Sequence, residues 1–216
     1  MSLTLVIGNK AYSSWSMRPW IALRQAEIGF IETVIPIYIE GSKEQILKHS
    51  PAGKVPILKD GDLTVWDSLA ILEYLAETFP EAKLWPTDRK ARALARSISA
   101  EMHSGFVPMR KLLTMNTRRH YPGFAIPEDV QRDIDRVQQI WDETRARYGK
   151  DGPFLFGHFT AADAMYAPVV TRFKTYDVKL SPTSKAYVDT ILALPAVREW
   201  YAGGEAESWV LNQYEY

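Results

Sequence analysis

Residues 3–28, LTLVIGNKAYSSWSMRPWIALRQAEI, decide the fold. Leu3 to Ile7 is a short apolar run suited to a buried strand. After a polar loop, Ser14 to Ile28 carries Met17, Trp20, Ile21, Leu23 and Arg24 at helical spacing. A second strand follows at Thr33 to Ile39 (TVIPIYI), β-branched and bounded by Gly29 and Gly41. Pro36 inside it cannot donate to a ladder and predicts an edge position. The chain therefore opens as a βαβ unit.

Further along, Lys43 to His49 predicts a short helix stopped by Ser50-Pro51-Ala52-Gly53. Val55 to Leu58 and Leu63 to Trp66 flank Lys59-Asp60-Gly61-Asp62, whose Asp-Gly pair signals a hairpin. Asp67-Ser68 forms an N-cap pair ahead of Leu69, Ile71, Leu72, Tyr74 and Leu75, an amphipathic helix ending near Phe79-Pro80. From Asp88 onward strand patterns give way to helical ones at Arg89 to Met115, Pro127 to Tyr148, Thr160 to Phe173 and Ser181 to Leu194. The expected organisation is an α/β domain (βαβ-ββα) over 1–80, a linker over 81–88 signalled by the stretch Pro80 to Pro86 with a proline at each end, and an all-α helical bundle over 89–216.

Composition narrows the function. With 216 residues and 46% of them hydrophobic, a substantial core is available. Twenty-six basic side chains balance twenty-six acidic ones, so the electrostatic footprint of nucleic-acid or anionic-membrane binding is missing. No run approaches the ~18 apolar residues of a membrane span, and residues 1–9 do not fit a signal peptide, so the expected compartment is the cytoplasm. The absence of cysteine excludes disulfides, thiolate metal sites and a protein sulfur nucleophile. His49, His103, His120 and His158 are too scattered for a local metal motif, and no metal is expected.

Four landmarks carry a resemblance to the glutathione transferase superfamily over nearly the whole chain. They are Tyr12-Ser13-Ser14-Trp15-Ser16-Met17-Arg18, Ser50-Pro51-Ala52-Gly53-Lys54-Val55-Pro56, Asp67-Ser68, and Phe156-Gly157-His158-Phe159-Thr160-Ala161-Ala162-Asp163. The first is similar to the zeta-class serine motif, with Trp15 standing where those enzymes carry cysteine. The resemblance implies a thioredoxin-like first domain, a homodimer, glutathione as co-substrate, a small hydrophobic electrophile as second substrate, and a role in detoxification. An unperturbed thiol with pKa ~8.5 is only about 3% thiolate at neutral pH, so such an enzyme must lower that pKa. Ser13, just ahead of the first helix, is the position at which the family's serine classes place the activating hydroxyl, with Ser14 the second candidate. Either serine read alone is equally a helix cap.

The same resemblance assigns Lys54 to the glycyl carboxylate, Val55 and a cis-Pro56 to backbone pairing with the cysteinyl unit, and Asp67 and Ser68 to the γ-glutamyl ammonium and carboxylate. Lys54 reads equally as a solvated lysine, and Asp67-Ser68 also as a cap. Thr160 and Asp163 fit a capping box and are structural. Substrate-pocket candidates are Tyr12, Trp15, Phe106 and Met109, with the tail from Trp209 to Tyr216, though aromatic and Met side chains at helical spacing more often pack a core. A related fold that binds apolar ligands or a partner with little turnover is the alternative. A glutaredoxin-like thiol transferase is disfavoured, since Ser13 and Ser16 hold the C-x-x-C spacing without sulfur.

Overall fold

The computed structural model describes residues 2–216. Its first domain runs β1 (Leu3–Ile7), α1 (Ser14–Gln25), β2 (Phe30–Val34), α2 (Ser42–Leu47), β3 (Ile57–Asp60), β4 (Leu63–Trp66) and α3 (Ser68–Thr78). The sheet order is β2-β1-β3-β4, with β1 parallel to β2 and antiparallel to β3, and β3 antiparallel to β4. This is the thioredoxin-like arrangement that the βαβ-ββα order implies. The helical domain runs α4 (Arg89–Ser104), α5 (Val107–Leu112), α6 (Glu128–Tyr148), α7 (Ala161–Thr175), α8 (Pro182–Ala193) and α9 (Pro195–Ala206).

Several boundaries differ from the sequence expectation for identifiable reasons. The second strand is Phe30–Val34 and not Thr33 to Ile39, because past Ile35 the backbone leaves the ladder: Pro36 has no N–H, the Ile37 N–H goes to Asn9 Oδ1, and the Ser42 hydroxyl donates to the Pro36 carbonyl. The third strand begins at Ile57 rather than Val55. The helix expected over Arg89 to Met115 is two helices, because Phe106 adopts a left-handed φ of 56° and the Arg110 guanidinium caps the carbonyls of His103 and Gly105 at the break. The last helix, α9, falls on Pro195–Ala206, where no helix was expected; Gly203 and Gly204 look like breakers there. A Cβ on Gly204 would sit 2.6 Å from Thr117 Oγ1 and 3.2 Å from the Ala11 nitrogen, so this glycine serves close approach of α9 to the loop after β1.

One continuous core joins the two domains. Trp20 of α1 meets Trp200 of α9 edge-on at 5.2 Å, and Trp141 packs against Tyr166, Phe173 and Tyr187. Leu84 and Trp85, within the connecting segment, are buried in the same core. Thr160 and Asp163 close a capping box at the start of α7. The Asp163 carboxylate also accepts from the Leu155 N–H and the Tyr187 hydroxyl, tying α7 to the preceding loop and to α8. Among the described residues no helix is long and apolar enough to cross a membrane.

Candidate functional site

The strand registers bring the sequence landmarks to one end of the sheet. Val6 pairs with Ile57, which sets the Val55-Pro56 bond beside the carboxyl end of β1, from which the Ser13 loop departs. Ile57 also pairs with Trp66, which sets Asp67-Ser68 on the far side of the same bond. Ser13, Val55-Pro56 and Ser68 thus arrive on three neighbouring strand ends. The Val55-Pro56 peptide is cis, and Val55 lies outside the ladder. Lys54 is exposed.

The serine cluster is organised by β1 and α1 together. Gly8 donates its N–H to Ser16 Oγ at 3.0 Å, and Ser13 donates its hydroxyl to the same oxygen at 2.7 Å. Ser13 occupies the N-cap position but makes no side-chain cap bond, so its hydroxyl is not consumed by the helix. Gly8 is required by close approach: a Cβ there would lie 2.9 Å from Ile37 Cγ2 and 3.1 Å from Ser13 Oγ. Ser14 opens α1 and is buried.

At the γ-glutamyl position, Asp67 has a φ of 76°, and its Oδ1 accepts from the N–H groups of Leu69 and Ala70. Its Oδ2 lies 3.2 Å from His103 Nε2 of α4. Ser68 is buried, and its hydroxyl accepts from Arg18 Nη1 at 3.2 Å. Arg18 is 2% exposed, and its Nε has no partner among the described residues. Burial first, then the like charges of Arg172 and Arg110, pull its pKa down to about 9, while Asp67 acts in the opposite sense. It remains a cation at neutral pH.

The pocket candidates separate into three situations. Met109 is wholly enclosed in the common core and Phe106 nearly so. Trp15 is half-buried, with the guanidiniums of Arg18 and Arg110 over its ring at 4.2 and 4.9 Å and His103 edge-on at 5.3 Å. Tyr12 is committed elsewhere. Its hydroxyl accepts from Arg118 and the Leu211 N–H and donates to Glu215, while its ring stacks on Tyr214 at 5.7 Å. Glu207 accepts the N–H groups of Lys10 and Ala11. The C-terminal segment is thereby fastened to the loop that carries Ser13.

Sequence reasoning gave no role to Arg18 or Glu215 and treated Ser16 only as a first-turn residue. An arginine four residues after Ser14, on a helix face otherwise filled by Met17 and Ile21, was the available signal for Arg18. Glu215 had none, because its partners are about a hundred or more residues away in sequence.

The model of the glutathione S-transferase N-terminal domain matches residues 12–78, and that of the glutathione S-transferase C-terminal domain matches 127–203. The maleylacetoacetate isomerase of Rattus norvegicus is 30% identical over 176 residues, covering 78% of this chain and 77% of its own length. A probable maleylacetoacetate isomerase of Caenorhabditis elegans is 28% identical over 190 residues, covering 85% and 86%. Among solved structures, a glutathione transferase homologue from Burkholderia with bound glutathione superposes with a TM-score of 0.72 at 24% identity, over 96% of this chain and 100% of that one.

Proposed function

This chain belongs to the glutathione S-transferase family, and on that premise we propose that it binds glutathione at the shared strand ends and transfers its thiolate to a small hydrophobic electrophile. Ser13 is the activating hydroxyl. A hydroxyl carries one proton and two lone pairs, so the Ser13–Ser16 contact can run in either sense. When an anion faces Ser13, Ser16 donates to Ser13, and the Ser13 proton turns outward to the sulfur. Ser16 still accepts from Gly8, which gives an aligned chain of donors. A hydrogen bond to a charged acceptor contributes ~1.5–3 kcal/mol, equivalent to about one to two pKa units on the thiol. The start of α1 adds ~0.3–1 kcal/mol for an anion there.

The remaining contacts follow the resemblance: Val55 pairs its backbone with the cysteinyl unit beside Pro56, Lys54 takes the glycyl carboxylate, and Asp67 and Ser68 hold the γ-glutamyl end. Trp15 is the pocket candidate that is not fully buried, while Tyr12 acts by holding the loop and Phe106 and Met109 by shaping the floor. The relatives named maleylacetoacetate isomerases support a second outcome at the same site, in which the thiolate adds to an activated double bond and is later expelled. A cytoplasmic, detoxifying role fits this chemistry. Exposed Leu63 and Trp66, on opposite faces of the edge strand β4, and the groove between α3 and α4 lined by Tyr74 and Trp85 support a twofold homodimer through this edge of the first domain.

The observation that carries the proposal is the Ser13 hydroxyl, free of capping and backed by Ser16, at the strand end shared with Val55-Pro56 and Ser68. Calorimetry with glutathione, followed by a screen of halonitroarenes, epoxides, isothiocyanates, hydroperoxides and maleyl-type isomerisation substrates with and without glutathione, tests it. Absence of binding at millimolar glutathione contradicts it.

A further inference from the structure

We infer that Glu207 is a positioning residue for the activating serine: from the end of α9 its carboxylate holds the backbone of the loop that aims Ser13 at the thiol. The inference rests on the reading of Ser13 as the activating hydroxyl. Between β1 and α1, Lys10 to Ser13 present four consecutive N–H groups, and these are satisfied in two pairs. Those of Tyr12 and Ser13 donate to the Asn9 carbonyl at 3.2 and 2.8 Å, which closes the turn from inside. Those of Lys10 and Ala11 donate to the two oxygens of the Glu207 carboxylate, one each. A carboxylate suits two successive N–H groups, because it offers an acceptor oxygen to each and lends its charge to both bonds. The N–H groups on the outer half of the turn thus rest on one side chain of the helical domain.

Packing makes this hold hard to replace. Ala11 is wholly enclosed, and a Cβ on Gly204 of α9 would sit 3.2 Å from its nitrogen, which leaves little room for water to take over the N–H. Glu207 is itself fixed from the other side: its carbonyl accepts from Arg118 Nη1 at 2.9 Å, and the same guanidinium donates to the Tyr12 hydroxyl. The clamp therefore grips the turn by its backbone at Lys10 and Ala11 and by the side chain of Tyr12, one residue before Ser13. Burial outweighs the Ala11 and Lys10 N–H groups and the cations Arg118 and Lys10, and it holds the Glu207 carboxyl above its ordinary 4.5. Ionising it consequently costs folding stability above that pH, so the carboxylate is kept for what it holds. Without it the outer half of the turn is released, and the Ser13 hydroxyl no longer meets the sulfur at hydrogen-bond geometry.

The test titrates the thiolate of bound glutathione in the ultraviolet for the wild type, Glu207→Ala, Ser13→Ala and the double variant. Glu207→Ala is expected to raise the thiol pKa by about half a unit or more, with affinity for glutathione nearly unchanged, and to add nothing in the Ser13→Ala background. A residue that merely stabilises the fold would leave the titration alone, and one that acts on the thiol by another route would shift it equally in both backgrounds; either result overturns the inference. Should Glu207→Ala fail to fold, Glu207→Gln decides, because its NH2 faces an N–H where a carboxylate oxygen stood. A shift confined to the background that keeps Ser13 supports the inference, while no shift, or an equal one in both, overturns it. A Ser13→Ala variant that titrates like the wild type overturns the serine reading and the inference with it, whereas a shift in Ser13→Ala with none in Glu207→Ala overturns the inference alone.

Discussion

The hydroxyl oxygens of Ser13 and Ser16 lie 2.7 Å apart across the first turn of α1, and Ser16 also takes the N–H of Gly8. Because the wholly buried Ser16 accepts a fixed backbone proton, it is a polarised donor for Ser13 and not a passive first-turn residue. Ser16→Ala is therefore expected to raise the pKa of bound glutathione by about half a unit to one unit, a fraction of a full charged hydrogen bond. Ultraviolet titration of the thiolate measures this. An unchanged titration in Ser16→Ala would show that Ser13 works alone.

The C-terminal latch predicts a pH dependence. Burial alone pushes the Glu215 carboxyl up, but hydrogen bonds from Arg119, Tyr12 and Asn116 together outweigh it and hold the pKa below the ordinary 4.5. A lowered folded-state pKa means stability that is present above 4.5 and is lost as pH falls through the lower folded value. Trp209, in the same segment, should report release of the tail by fluorescence in that acid range. Glu215→Gln should release it already at neutral pH; a Gln variant whose fluorescence titrates like the wild type contradicts the latch.

The capping box at α7 predicts a stability effect without a catalytic one. Asp163→Ala strips a partner from the Leu155 and Thr160 N–H groups and from the Tyr187 hydroxyl, all buried. At ~1–3 kcal/mol for an unsatisfied buried donor, partly relieved by relaxation, the loss is about 3 kcal/mol in total, or roughly 6–12 °C in Tm for a chain of this size. Differential scanning calorimetry checks it, with activity per folded molecule expected to stay near the wild type.

The parts of the fold written in local sequence were legible: Leu3–Ile7, Leu63–Trp66, the Asp-Gly hairpin and the capped helix after Asp67. What escaped depends on distant partners. Glycine at 203 and 204 reads as a breaker until the loop after β1 is seen lying against α9. The break at Phe106 rests on a left-handed residue that no propensity announces. In the site, residue types and order pointed to Ser13, Val55-Pro56 and Asp67-Ser68. The support of Ser16 and Arg18 became visible only when β1, α1 and α3 were placed together.

The exposed edge strand β4 predicts association. A homodimer should sediment as twice the 24.6 kDa chain, and Leu63→Glu with Trp66→Glu should return it to one. Sedimentation equilibrium at micromolar concentration decides; a wild type found only at 24.6 kDa contradicts the proposed dimer.

Titration of glutathione bound to Ser13→Ala tests activation of the thiol by this serine most directly. Loss of the hydroxyl should raise the thiol pKa by about one to two units, with affinity for glutathione nearly unchanged. Thiolate at neutral pH then falls about ten- to a hundredfold, but a more basic thiolate is a better nucleophile by a Brønsted coefficient of ~0.4–0.5. Conjugation should therefore slow by about three- to tenfold at neutral pH, and the deficit should vanish once pH exceeds the shifted pKa. Ser14→Ala should leave the titration in place. A wild-type pKa retained in Ser13→Ala, or a shift found in Ser14→Ala instead, would contradict the assignment of Ser13 as the activating hydroxyl.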